Sequence, residues 1–174
     1  MTGKRPRPPL DDDALREMAL RYVGRFATSR AKLTAYLGRK IRERGWGGEN
    51  PADPQALTER LAALGYIDDG SYAVMKSAAL ARRGYGARRV DESLRAAGIS
   101  DDDRSEADAR THAEAWASAE RFARRKRIGP FAAEQPDPKL REKWMAAFMR
   151  AGHGHRLARR WIDAPPGEPP EDEG

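Results

Sequence analysis

The chain contains no cysteine, which excludes disulfides, thiolate nucleophiles and Cys-ligated zinc or iron–sulfur centres and suits a reducing compartment. Aromatic residues make up 7% and hydrophobic residues 39% of the 174 positions, with a mean hydropathy of −0.85. That content limits any single core, so the length allows one ordinary domain or a short repeat array. No apolar run approaches the roughly 18 residues of a membrane span, and the basic stretch at residues 4–9 is not followed by the apolar segment of a secretion signal. A cytoplasmic, monomeric protein is expected. β-Branched residues are few and alternation at a period of two is nowhere sustained, which speaks against a sheet. The sequence also lacks G-x-x-x-x-G-K-[ST], G-x-S-x-G and H-E-x-x-H, so neither a phosphate loop, a nucleophile elbow nor a zinc-protease helix is expected. No catalytic residues and no cofactor are assigned.

Positive charge is abundant, and its location matters more than its sum. Residues 1–13 balance, with Lys4, Arg5 and Arg7 against Asp11, Asp12 and Asp13. The tail from Ala164 carries Glu168, Glu171, Asp172 and Glu173, so the net charge of +6 becomes +10 once those four acids are set aside. A field of that sign attracts phosphate backbones or an acidic protein groove and speeds encounter with either. Both ends are rich in proline and poor in apolar residues, which predicts a disordered basic arm over residues 1–13 and a disordered acidic tail over 164–174.

Between them the chain reads as all-α. Asp53-Pro54 and Asp137-Pro138 each place an N-cap carboxylate ahead of a proline at the first helical position, and Ser100-Asp101-Asp102-Asp103 resembles a capping box. Gly45-Trp46, Gly65-Tyr66, Gly98-Ile99 and Gly152-His153 read as helix stops, with glycine in the left-handed position and the next side chain folded back on the last turn. Counting back in fours from three of these glycines gives Ile41, Leu37 and Leu33; Leu94 and Val90; and Phe148, Trp144 and Leu140. Residues four apart drift only about 40° around a helix, so each set forms one apolar stripe. The recurring template predicts an elongated, curved array of three tandem three-helix repeats at residues 14–67, 68–111 and 112–163. The alternative is an irregular helical domain whose glycine spacing is coincidence.

Arginines cluster at comparable places in these units. Arg39 and Arg42 lie near the end of one helix, Arg82, Arg83, Arg88 and Arg89 flank Gly84-Tyr85-Gly86, and Arg124, Arg125, Lys126 and Arg127 end another helix. Arginine suits planar, bidentate contact with carboxylates or phosphates. As a set these residues, with Tyr85, are the candidate contacts for a long anionic partner; singly, each also fits a solvated face with Glu partners at i,i+4. The 82–89 stretch has a second reading as a connector, with Tyr85 packed in the core and Arg88 bonding the preceding carbonyls. His153 and His155 flank a glycine without a nearby acid cluster, which reads as a loop rather than a metal site. The acidic triplets at residues 11–13 and 101–103 read as helix starts rather than cation sites.

Leu64-Gly65-Tyr66-Ile67-Asp68-Asp69, Tyr72-Ala73, Arg82-Arg83-Gly84-Tyr85-Gly86, then Arg88, Val90, Leu94, Gly98 and Ile99 closely resemble the central signature of the RecX family, bacterial regulators of the RecA recombinase. Ser29-Arg30-Ala31-Lys32-Leu33, with Leu37 and Gly45-Trp46, is similar to the family's first-repeat helix, one turn longer here. Residues 101–136 contain little that is diagnostic, and the proline-rich arm and acidic tail lie outside the family pattern. The resemblance implies a non-enzymatic protein that lies in the groove of the RecA–DNA filament, lowers ATP hydrolysis and strand exchange, and blocks filament extension, so modulating DNA repair and recombination. Two other classes stay open: a DNA-binding helical protein acting through the same arginines without RecA, and, last, a metal-dependent enzyme using His153 and His155.

Overall fold

The computed structural model describes residues 8–172. Among them the chain is all-α, with no strand. The helices run α1 (Asp12–Val23), α2 (Arg30–Arg44), α3 (Pro54–Ala63), α4 (Asp69–Arg82), α5 (Ala87–Ala96), α6 (Asp101–Ala113), α7 (Ala115–Lys126), α8 (Pro138–Arg150) and α9 (His155–Asp163), with a 3₁₀ turn at Gly129–Phe131.

The expected cap chemistry sets the boundaries. The carboxylates of Asp53 and Asp137 accept the backbone N–H of Ala56 and Leu140 at 2.8 and 2.6 Å, and Ser100 Oγ accepts that of Asp103 at 3.2 Å. Each satisfies one of the orphan donors of a first helical turn. Gly45, Gly65, Gly98 and Gly152 all have φ between +69° and +89°, the left-handed conformation that lets a helix end without a Cβ clash. The acidic triplets do cap work: Asp11 accepts the N–H of Ala14 at 2.8 Å, and residues 12, 13 and 101–103 fill the first turns of α1 and α6, where the helix dipole favours negative charge.

The described residues divide into two compact units, one drawn from Met1–Tyr72 with Ala97–Ile99, the other from Ala73–Ala96 with Ser100–Gly174. The first unit's core joins Leu15 and Ala19 of α1, Leu33 and Leu37 of α2, Leu61 of α3, and Ile67. Leu33 and Leu37 are fully buried, and each contributes about 1.5–3 kcal/mol relative to exposure. The start of α2 is held by Asp69, whose carboxylate is 5% exposed as a residue and accepts both the backbone N–H of Arg30 at 2.9 Å and its Nε–H at 3.1 Å. The second unit's core is aromatic. Phe122 and Phe148 meet edge-on with ring centroids 4.8 Å apart, and Trp116 and Trp161 at 4.9 Å.

Three expectations change. The arm expected over residues 1–13 is structured from Pro8 onward: Leu10 is fully buried, its N–H donates to the Gly45 carbonyl at 3.0 Å, and its own carbonyl accepts Gly47 N–H at 2.8 Å. One large apolar side chain among prolines is enough to seat the segment, and α1 begins inside the range given to the arm. The tail expected over 164–174 likewise begins packed, with Ala164 buried and Gly167 N–H donating to the Pro130 carbonyl at 2.9 Å. Residues 1–7 of the arm and 173–174 of the tail lie outside the described residues. Leu140, expected at the base of the third apolar stripe, is 39% exposed, because it lies in the first turn of α8, ahead of the part that meets the aromatic core.

Candidate functional site

Residues 82–89 leave α4 and enter α5. The Leu80 carbonyl accepts the N–H groups of Arg83 and Tyr85 at 3.0 and 3.1 Å, and the Ala81 carbonyl accepts Gly84 N–H at 2.8 Å, closing α4 in a tight turn. Both glycines of this turn are required by what lies against them. At Gly84 (φ +75°) a Cβ would stand 2.9 Å from the Phe122 nitrogen; at Gly86 it would stand 2.4 Å from the Gly152 carbonyl oxygen. The absence of side chains lets the turn's backbone touch α7 on one side and the α8–α9 turn on the other. Gly86 N–H donates to the Ala151 carbonyl at 2.8 Å and Arg88 N–H to the Gly152 carbonyl at 3.1 Å.

His153 fixes the same junction from beneath. It is 1% exposed, lies against the rings of Phe122 and Phe148 at 5.5 and 5.3 Å, and bonds the Gly84 carbonyl through Nε2 at 3.0 Å. A carbonyl only accepts, so Nε2 carries the proton. Burial pushes the imidazole pKa below its ordinary value, because a charged ring loses its hydration there. Nδ1 has no partner among the described residues. His153 is therefore a core histidine bonded to the backbone of the basic turn, and no group of three His, Asp or Glu side chains placed to hold a metal occurs among the described residues.

The arginines point outward from this scaffold. Arg82, Arg83, Arg88 and Arg89 are exposed, as are Arg124, Arg125, Lys126 and Arg127. The two groups are brought together: an Nη of Arg125 donates to the Arg83 carbonyl, Ser118 Oγ donates to the Tyr85 carbonyl at 2.7 Å, and Arg121 donates to the Ala81 carbonyl at 3.2 Å. Tyr85 is half-buried against the aromatic core, and the Arg83 guanidinium lies 5.1 Å from its ring. The connector reading is the one the geometry bears on. Tyr85 packs inward as a connector residue, Arg88 bonds the facing turn with its backbone rather than its side chain, and the guanidinium groups stay at the surface.

Compensating acids are sparse. Arg89 meets Glu92 at 3.4 Å and Arg124 meets Glu120 at 2.8 Å, while no carboxylate lies within 4 Å of Arg82, Arg83, Arg88, Arg125, Lys126 or Arg127 among the described residues. Arg124 and Arg125 also stack on Phe131 and Phe122, at 4.3 and 5.6 Å. Arg127 has φ +54°, the one positive-φ residue other than glycine among the described residues. Holding a branched-out side chain there costs about 1–2 kcal/mol. Arg39 and Arg42 lie on α2 in the first unit; Arg39 pairs with Glu43 at 3.6 Å and lies over Tyr36 at 5.6 Å.

Two buried charges escaped the sequence reading. Arg104, 5% exposed, bonds Asp108 at 2.8 Å and also Asp91, tying α6 to α5. These bonds hold the Asp91 carboxyl below its usual range, with the Arg104 hydrogen bond as the main cause. Asp69 at the head of α2 is the other. The available signal was spacing, since Asp101, Arg104 and Asp108 stand at helical intervals, but their burial has no sequence signature.

The surface thus offers exposed guanidinium groups around a turn whose backbone is held from both sides, an arrangement suited to contact with carboxylates or phosphates. No protein-family model matches the chain. Over 172 residues it is 32% identical to "Regulatory protein RecX" from Myxococcus xanthus (strain DK1622), covering 94% of this chain and 91% of that protein. Identity at this level, sustained through nearly the full length of both proteins, means that the chain belongs to the RecX family.

Proposed function

We propose that this protein is a non-enzymatic regulator of the RecA recombinase, which binds the RecA–DNA filament groove in the cytoplasm and restrains ATP hydrolysis, strand exchange and filament extension. Family membership supports the regulatory role. The observation that carries the contact surface is the set of exposed cations at residues 82–89 and 124–127, six of which have no carboxylate within 4 Å among the described residues. Such a surface presents several fixed forks to a carboxylate or phosphate array. Arg39 and Arg42 are proposed as supplementary contacts, and no cofactor or metal takes part.

The test is single-stranded-DNA-dependent ATP hydrolysis by the RecA of the same organism, with DNA in excess and this protein titrated in. Inhibition at far less than one molecule per RecA protomer is the expected result, and the Arg82→Ala/Arg83→Ala/Arg89→Ala variant is expected to lose it while keeping its helical circular dichroism. Full inhibition by that variant removes this surface from the mechanism. Absence of inhibition by the native protein at any ratio, together with salt-sensitive binding to naked DNA, favours a DNA-binding protein that acts without RecA.

A further inference from the structure

The first unit carries a second grouping of cations, built differently from the basic turn. At the end of α1, Tyr22 stacks on Tyr36 of α2 with ring centroids 4.3 Å apart and planes 29° from parallel, and the Phe26 ring lies 5.3 Å from Tyr22, tilted 51° to it. These rings line an open cleft of about 340 Å³. Phe26 is 52% exposed, so its ring is not consumed by the core. A half-open aromatic ladder of this kind is costly to leave in water unless something covers it.

The charge around the ladder identifies what covers it. Arg21, Arg25 and Arg44 line the cleft against one acid, Glu17, which pairs with Arg21 at 3.0 Å. Arg39 and Lys40 lie over the Tyr36 ring at 5.6 and 5.9 Å, and Arg25 over Phe26 at 5.9 Å. Arg44 is pre-set, since its Nε–H and an Nη–H both donate to the Pro8 carbonyl, at 3.1 and 2.7 Å. The chain's own arm is a poor occupant, because residues 1–7 carry Lys4, Arg5 and Arg7, of the same sign as the rim. An apolar helix would strand the guanidinium groups, and an acidic peptide would leave the ring faces unmatched. An unpaired nucleic-acid strand supplies both complements, because its bases offer flat faces to stack and its phosphates offer regularly spaced negative charge.

We infer that the α1–α2 cleft binds single-stranded nucleic acid, with a base stacked on the exposed ring of Phe26 beside the Tyr22–Tyr36 pair, and adjoining phosphates held by Arg25 and Arg44. Duplex DNA cannot use the ladder, since its bases are already stacked on one another. The site belongs to the first unit alone, so it stands or falls without reference to RecA.

The experiment uses the full chain and a fluorescently labelled oligothymidylate of about twenty nucleotides, with a duplex of equal length in parallel. The native protein is expected to prefer the single strand. Phe26→Ala is expected to weaken single-strand binding roughly tenfold, the loss of one stacked base, and to leave duplex binding unchanged. Phe26→Trp is expected to restore affinity and to show tryptophan quenching on titration. Ultraviolet cross-linking to an oligonucleotide bearing 5-iododeoxyuridine is expected to mark the peptide containing Tyr22 and Phe26 or that containing Tyr36. Any of four results overturns the inference: no single-strand binding at low salt, equal affinity for strand and duplex, native affinity in Phe26→Ala, or cross-links confined to residues 82–89 and 116–131. Failure of the RecA reading appears separately, as absence of ATPase inhibition by a protein that still prefers the single strand.

Discussion

The Gly84 carbonyl oxygen accepts a hydrogen bond from Nε2 of His153 at 3.0 Å where both residues are buried. With the backbone bonds from Gly86 and Arg88, this bond joins the turn that carries Arg82, Arg83, Arg88 and Arg89 to the α8–α9 turn, and it is made only by the neutral imidazole tautomer protonated at Nε2 or by the charged ring. Burial disfavours the charged ring, so the neutral form is the one the fold selects.

A pH dependence of stability follows. Because the folded pKa of His153 lies below the unfolded value, the unfolded chain binds the proton more readily, and folded stability falls as pH drops from about 6.5 toward the folded pKa. Urea denaturation between pH 7.5 and 5 is expected to show a slope approaching about 1.4 kcal/mol per pH unit in that window. His153→Ala is expected to cost about 2–4 kcal/mol at neutral pH, from an orphaned carbonyl and a cavity between Phe122 and Phe148, and to flatten the profile. An unchanged profile in that variant would falsify the assignment of the titrating group.

Glycine substitutions separate contact from conformation. Gly86→Ala drives a methyl group into the Gly152 carbonyl, 2.4 Å away, and is expected to destabilise by about 3 kcal/mol or more. Gly65→Ala meets nothing within 4 Å and suffers only from its φ of +81°, so about 1 kcal/mol is expected. Thermal unfolding of the two variants gives the ranking directly; equal losses would mean that the turn shifts to make room.

Arg104 tests the α5–α6 link. Its carboxylate partners are roughly one-third exposed, with side chains at 36% for Asp91 and 39% for Asp108, so solvent screening moderates the loss. Arg104→Ala is expected to lower stability by about 1–3 kcal/mol. Arg104→Met retains the packed stem and is expected to lose less. Equal denaturant midpoints for Arg104→Met and Arg104→Ala would show that charge pairing, and not stem packing, dominates.

Arg127→Gly relieves the left-handed strain at the end of α7 and is expected to stabilise the protein by about 0.5–1 kcal/mol. The same change removes one cation from the proposed surface, so inhibition of RecA ATP hydrolysis is expected to weaken as stability rises. A variant that is more stable and equally inhibitory would leave Arg127 without a role at that surface.

Much of the fold was legible because it is written in local chemistry. Asp53-Pro54, Asp137-Pro138 and Ser100 mark helix starts through caps that need only three or four consecutive residues, and Gly45, Gly65, Gly98 and Gly152 mark stops through a backbone angle. Leu10 was not legible, since a lone leucine among prolines gives no period, and its burial depends on the distant Gly45 and Gly47. Arg104 was not legible for the reverse reason: a charge in a polar helix looks solvated until its partners Asp91 and Asp108 are seen around it.

By itself the sequence determined that this chain is helical, where three of its helices begin and four end, where its arginines cluster, and, through the signature from Leu64 to Ile99, which family it resembles. These properties rest on interactions within a turn or two of the chain, or on residue identity alone. Only the tertiary structure decided that residues 82–89 and 124–127 share one surface, that His153 serves the basic turn as a buried donor, and that Tyr22, Phe26 and Tyr36 form a ladder beside Arg25 and Arg44. The contacts that define them include pairs far apart in sequence, Tyr22–Tyr36, Arg83–Arg125 and Gly84–His153, and such proximity is fixed by packing, which leaves no periodic trace in either partner's own neighbourhood.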